Sequence, residues 1–172
     1  GRTGGPAVRT LEPSVDRFFS HFILRLDAKG RVSVPASFRA VLAREGAEGL
    51  FCYPALDRPA VEAGGRSLMT DIEALMERFP PFSEEREQFA TALYATSEIL
   101  KMDGEGRVTL SDQLKDHAGI MDAVAFVGLG HKFQIWAPDR FSARLSEATG
   151  KMRALKKRLG SERAANPEGA RE

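Results

Sequence analysis

The stretch LDAKGRVSV, residues 26–34, returns as MDGEGRVTL at residues 102–110, 76 positions further along the chain. Four positions are identical in both copies: an aspartate, the glycine before the arginine, the arginine itself and the valine after it. The similarity extends outward on both sides, to residues 23–25 against 99–101 and to Phe38-Arg39 against Leu114-Lys115. Two copies are too few for a solenoid, but they suit a pseudo-twofold arrangement inside one chain.

Each copy is predicted to fold as a strand, a tight turn, a second strand and a helix. Asp27 and Asp103 can accept hydrogen bonds from backbone N–H groups two residues later, which favours a turn. Gly30 and Gly106 are predicted to adopt the left-handed conformation that closes a short hairpin through a bulge. The residues after each glycine alternate between apolar and polar, as half-buried strands do.

A helix and two further strands are predicted to follow in each copy. In the first copy the helix begins at Pro35 and ends at Gly46, and in the second Ser111 caps a helix that ends at Gly119. Turn residues separate the remaining strands, which are expected at 50–53, 60–63, 123–127 and 132–136.

Helices are also predicted between the copies and after them. Ser67 is the expected N-cap of a helix over 68–79, Pro80-Pro81 end that helix, and Ser83 begins another. The first of these helices has five apolar residues on one face, Leu68, Ile72, Leu75, Met76 and Phe79. The predicted organisation is a flexible extension (1–17), module one (18–66), a helical connector (67–95), module two (96–139), a basic C-terminal helix (140–159) and a tail (160–172).

The charge distribution is more informative than the net charge of +1. Residues 22–44 hold five basic side chains and one acid, and residues 140–172 hold nine basic and four acidic ones. Such segments on a near-neutral chain indicate localised anion-binding surfaces. No apolar run is long enough to span a membrane and no secretory signal is visible, so a cytoplasmic protein is expected. The single cysteine, Cys52, lies in an apolar run and is predicted to be buried.

No arrangement of residues typical of an enzyme is present. The sequence lacks a dinucleotide loop, a phosphate loop and a nucleophile elbow, and its carboxylates are scattered. His117 and His131 have no companion cysteine, histidine or carboxylate at metal-ligand spacing. We therefore expect no catalytic activity, cofactor, metal or small-molecule substrate.

The repeated Asp-x-x-Gly-Arg element carries the chemistry that remains. Arg31 and Arg107 follow rigid turns, and a planar guanidinium suits phosphate oxygens or the O6 and N7 atoms of guanine. Lys29 and Arg25 could add phosphate contacts around the first arginine. The alternative interpretation is that each arginine only pairs with the aspartate of its own turn.

The two motifs, DAKGRVSVPASFR from Asp27 and DGEGRVTL from Asp103, together with FQIW at 133–136, resemble the two AbrB-type modules of the MraZ family. The resemblance implies a β-rich α+β fold in which swapped-hairpin halves form a double-split β-barrel. It implies a nucleoid-associated transcription regulator that binds double-stranded DNA at short direct repeats in the promoter of its own division and cell-wall gene cluster. It also implies ring-like homo-oligomers, with Arg31 and Arg107 on DNA and the two aspartates as structural partners.

Two other classes of protein remain as alternatives. One is a structural oligomer whose basic segments serve solubility, and the other is an antitoxin-like protein that binds a toxin as well as DNA. The two modules are also expected to differ, because Lys29 in the first turn is matched by Glu105 in the second. A carboxylate beside Arg107 would repel phosphate and compete for the guanidinium.

Overall fold

The computed structural model describes residues 16–165, so the predicted N-terminal extension up to residue 15 and the tail from residue 166 lie outside the described residues. In chain order the elements are β1 (His21–Arg25), β2 (Arg31–Ser33), α1 (Ala36–Arg44), β3 (Gly49–Pro54), β4 (Ala60–Gly64), α2 (Arg66–Met76), α3 (Glu84–Tyr94), β5 (Glu98–Lys101), β6 (Arg107–Thr109), α4 (Asp112–Ala118), β7 (Ala123–Gly128), β8 (Phe133–Trp136) and α5 (Pro138–Ala165). The fold is α+β, with antiparallel strand pairing throughout these elements.

The strands form a six-stranded sheet in the order β1-β7-β8-β4-β3-β5 and a separate two-stranded ribbon, β2-β6. The counterparts in the two copies are β1 and β5, β3 and β7, and β4 and β8. If each strand is exchanged for its counterpart, the same strand order is obtained, read from the opposite edge of the sheet. The sequence repeat is therefore a pseudo-twofold symmetry of the structure, as predicted.

The predicted hairpins are wrong in their pairing, although their turns form. Gly30 and Gly106 both have φ of +77°, and two backbone bonds close each turn. In the first copy the Asp27 N–H donates to the Arg31 carbonyl at 2.8 Å, and the Gly30 N–H donates to the Asp27 carbonyl at 3.0 Å. Beyond the turn the strands separate: β1 pairs with β7, and β2 pairs with β6. Pairing with the other copy extends β1 along a six-stranded sheet, which a two-stranded hairpin could not offer. Within residues 16–165 these ladders form no closed barrel.

Helices α1 and α4 agree with the sequence prediction. Helix α1 follows Pro35, and Phe38, Val41 and Leu42 are its buried residues. The Ser111 hydroxyl accepts a hydrogen bond from the backbone N–H of the third residue of α4 at 3.3 Å. That helix ends at Gly119, which has φ of +66°.

Two apolar clusters hold residues 16–137 together as one compact unit. The larger joins one face of the sheet to the ribbon, α1 and α4, and the smaller joins the sheet to α2 and α3. The connector stripe is therefore mostly core: Leu68, Ile72 and Met76 are buried, whereas Leu75 is 39% exposed.

Two predicted boundaries are corrected. Ser67 is not the N-cap of α2, because the helix begins at Arg66 after Gly65, and the Ser67 hydroxyl instead donates a hydrogen bond to Glu45. The second unit begins at Pro138, and its helix α5 continues to Ala165 rather than ending near Leu159. The pattern of apolar and charged residues predicts which face of a helix is buried, but it does not predict the residue at which the helix ends.

Candidate nucleic-acid interface

The β2–β6 ribbon presents two arginines on one face. Its central residues, Val32 and Val108, lie opposite each other, are each 1% exposed and belong to the larger core cluster. Because side chains alternate along a strand, the flanking residues point away from that core. The pairing register thus places four side chains on the outer face: Arg31, Ser33, Arg107 and Thr109. The two arginines are diagonal neighbours, with Cα atoms about 7–8 Å apart.

Backbone bonds between the copies fix the two turns against each other. The Gly106 carbonyl accepts from the backbone N–H of Val34 at 3.0 Å, and the Gly30 carbonyl accepts from that of Leu110 at 3.3 Å. Each turn is thus tied to the end of the opposite copy's ribbon strand. The two arginines are presented from one rigid unit and not from two independent hairpins.

An aspartate anchors each arginine. One Asp27 oxygen accepts from the backbone N–H groups of Lys29 and Arg31 at 2.9 Å each, and the other accepts from the Arg31 Nε at 2.7 Å. Asp103 holds Arg107 in the same way, with the Nε bond at 2.9 Å. In both aspartates the pKa lies below its usual value, chiefly because the backbone N–H of the arginine donates to the carboxylate.

These pairs are the ones that the alternative interpretation predicted, and they orient the arginines without occupying them. The hydrogen bond to each aspartate uses Nε, one of five N–H donors in a guanidinium. The side chains of Arg31 and Arg107 remain 31% and 26% exposed. Side chains held in one orientation lose less entropy when they bind, so the same geometry suits both a structural and a binding role.

The two arginines differ in their acidic surroundings. Arg107 lies within ion-pair distance of three carboxylates, at 2.9 Å from Asp103, 3.5 Å from Glu105 and 4.0 Å from Asp27. Its pKa is raised, first by the hydrogen bond to Asp103 and then by these negative charges. The described ion pairs of Arg31 are limited to Asp27. Glu105, which was expected to compete for the Arg107 guanidinium, thus contacts it in the structure.

Two basic residues that the sequence prediction left out of the site also lie at the turns. A Cβ added to Gly106 would overlap the Arg39 guanidinium, so the Arg39 side chain of α1 covers the turn of the other copy. Lys115 of α4 lies near Gly30 in the equivalent way, where its Nζ would be 3.8 Å from an added Cβ. Arg39 and Lys115 are aligned by the repeat, which is the signal that could have identified them.

The remaining two residues predicted to contact DNA, Lys29 and Arg25, lie on different parts of the structure. Lys29 is exposed in the first turn, beside Arg31. Arg25 is exposed at the end of β1, and it alternates with Phe22 and Leu24, which pack on the larger core cluster. Arg25 therefore faces away from the side of the sheet that carries the ribbon, and no described contact joins it to the paired arginines.

The remaining residues singled out from the sequence are one cysteine and two histidines, and each lies in surroundings typical of a structural residue. Cys52 is buried, as predicted, and burial raises the pKa of its thiol to about 12. His117 lies 3.0 Å from the Arg58 carbonyl, and His131 lies 3.5 Å from the Asp71 carboxylate. In residues 16–165 no helix is both long and apolar enough to cross a membrane.

Comparison with known proteins gives a consistent result along the chain. Residues 93–160 match the family model described as "MraZ protein, putative antitoxin-like". The transcriptional regulator MraZ of Xanthobacter autotrophicus is 60% identical over 153 residues, which cover 89% of this chain and 97% of that protein. The proteins of the same name from Azorhizobium caulinodans and Parvibaculum lavamentivorans are 58% and 40% identical, over 86% and 90% of this chain and 94% and 98% of their own. Relatives this similar are matched over nearly their whole length, and the chain therefore belongs to the MraZ family.

Proposed function

We propose that this protein is a sequence-specific DNA-binding transcription regulator and that the outer face of the β2–β6 ribbon reads the DNA. The observation that carries the proposal is the pair of anchored arginines, Arg31 and Arg107, on one exposed face of a ribbon built from both copies. The names of its relatives, transcriptional regulators, support the same role.

The proposed DNA contact is with the major groove. That groove is wide enough to admit a two-stranded β-ribbon, and arginine bound to the O6 and N7 atoms of guanine is the commonest specific contact there. Arg31 and Arg107 would make the base contacts, with Lys29, Arg39 and Lys115 around them as phosphate contacts.

One ribbon offers few contacts, so we propose that several copies bind together. Basic and acidic side chains nearly balance around the ribbon, and a single ribbon should bind weakly. Repeated sites read by a homo-oligomer would supply avidity. The resemblance suggests the operator, short direct repeats upstream of the protein's own division and cell-wall gene cluster, and a ring of double-split-barrel subunits associated with the nucleoid in the cytoplasm.

The edges of the sheet support self-association. Ile23 on β1 and Ile99 on β5 occupy equivalent positions of the repeat and are 52% and 69% exposed. Both strands are at sheet edges among the described residues. Exposed apolar side chains on edge strands favour contact with another chain.

The test is a DNA titration with the full chain. Labelled duplex from the region upstream of the gene is titrated with wild-type protein, Arg31→Ala and Arg107→Ala, each against unlabelled specific and scrambled competitor. We expect specific binding by the wild type, and weaker binding by both variants. Arg78→Ala removes the same charge at an exposed position after α2 and should bind like the wild type.

Two results would contradict the proposal. Wild-type protein that prefers its upstream region no more than scrambled DNA would favour the structural-oligomer alternative. Loss of affinity in Arg78→Ala equal to that in the ribbon variants would mean that overall charge, and not the ribbon, determines binding.

A further inference from the structure

Helix α5 carries an apolar seam at the spacing of a coiled coil. Over residues 145–159 the seam positions follow each other at alternating intervals of three and four residues: Leu145, Ala148, Met152, Leu155 and Leu159. This spacing keeps apolar side chains on one narrow side of a helix, where a partner helix can cover them. The seam is about 21 Å long at 1.5 Å per residue.

The seam is exposed in the described chain. Leu145, Met152 and Leu159 are 45%, 63% and 53% exposed. The sequence of α5 also does little to stabilise an isolated helix in solvent. It contains Gly150 and Gly160, and glycine has a low helix propensity. Both features indicate a helix that gains stability from a partner.

The charges beside the seam argue against pairing of α5 with a second α5. On one side the seam is flanked by Arg144, Lys151 and Arg158, and on the other by Thr149, Lys156 and Arg163. Two such helices would place like charges opposite each other along both sides. The arrangement instead favours a partner with acidic residues around an apolar groove.

The connector helices α2 and α3 offer such a groove. Residues 66–94 contain six acidic and three basic side chains, against three acidic and eight basic ones in α5. An open groove between the two helices is lined by Glu73, Met76, Glu77, Arg86, Ala90 and Tyr94. Tyr94 is 40% exposed there, so the groove combines apolar floor and acidic rim.

We infer that α5 of one copy docks its apolar seam into the α2–α3 groove of a second copy. Such a contact joins two different surfaces, so repetition of it adds subunits head to tail, and the series closes into a ring if the rotation allows. This inference specifies the self-association that the proposed function requires, and it does not depend on DNA binding.

The first experiment measures mass by light scattering at micromolar concentration without DNA. Met152→Glu with Leu159→Glu places two acids in the seam, and we expect the mass of the oligomer to fall. Ala154→Glu with Ala164→Glu adds the same charge on the opposite side of the same helix and should leave the mass unchanged. Circular dichroism confirms that all variants fold.

The second experiment exchanges charges between the two surfaces. One chain carries Lys151→Glu with Lys156→Glu, and the other carries Glu73→Lys with Glu77→Lys. Each variant alone should form a smaller oligomer than the wild type. Mixing the two should restore the mass of the wild-type oligomer, because each α5 then meets a groove of opposite charge on the other chain.

Several results would overturn the inference. A monomeric wild type would remove it together with the proposed self-association. An oligomer that is unchanged by the seam variant would remove it alone. Failure of mixing to restore the mass would exclude the intermolecular contact, and a loss of DNA affinity at unchanged mass would make α5 a DNA contact instead.

Discussion

Replacing the two ribbon arginines in turn should cost unequal amounts of DNA affinity. Arg31→Ala removes a contact worth about 1–3 kcal/mol if it is bidentate to a base, or roughly 5- to 150-fold in Kd. Arg107 would make the same kind of contact only after it leaves Glu105, which lies 3.5 Å away. Since the Glu105 side chain is 75% exposed, that ion pair is worth at most about 1 kcal/mol. Arg107→Ala should therefore lose up to about fivefold less affinity than Arg31→Ala.

Glu105→Lys tests the cause of this inequality. The substitution removes the competing carboxylate and gives the second turn the basic residue that the first turn has at Lys29. We expect tighter binding on every sequence, and a salt slope that steepens by about one for the added phosphate contact. The three variants are compared by fluorescence anisotropy over a range of salt, on operator and on scrambled duplex.

Equal losses in Arg31→Ala and Arg107→Ala, with folding and assembly intact in both, would refute the reasoning. So would a Glu105→Lys variant whose affinity for scrambled DNA does not change. In either case the two arginines would act equivalently and the acidic side chain would point away from the DNA.

Three further predictions concern stability and reactivity. Gly30→Ala and Gly106→Ala should each lower the free energy of unfolding, measured by urea titration, by about 1–2 kcal/mol, because both glycines have positive φ. Gly106→Ala should be the more destabilising of the two, since its Cβ displaces Arg39. Equal losses would show that the Arg39 side chain moves aside freely. Ser111→Ala should lower stability by about 1 kcal/mol through loss of the α4 cap, and an unchanged midpoint would show that the cap contributes nothing. Cys52 should resist a thiol reagent at neutral pH until the protein is unfolded, because its thiol is buried with a pKa of about 12, and rapid labelling of folded protein would contradict this.

Local interactions explain what could be predicted at each turn and helix end. The Asp27 and Asp103 side chains bond to groups two and four residues away, and Ser111 bonds to one three residues away. Such contacts lie within one motif and can be inferred from the order of residues. Where a competing partner came from another element, as Glu45 did for Ser67, the local prediction was wrong.

The sequence alone determined the repeat, the left-handed glycines, the positions of α1 and α4 and the two arginines of the candidate site. Only the tertiary structure decided which strands pair, because alternation along a strand specifies the buried face and leaves the partner strand open. Pairing across the copies then decided that Arg31 and Arg107 share one surface, and it placed Arg39 and Lys115 on the opposite copy's turn. A candidate site formed by residues 76 positions apart depends on this long-range pairing, which no local contact encodes.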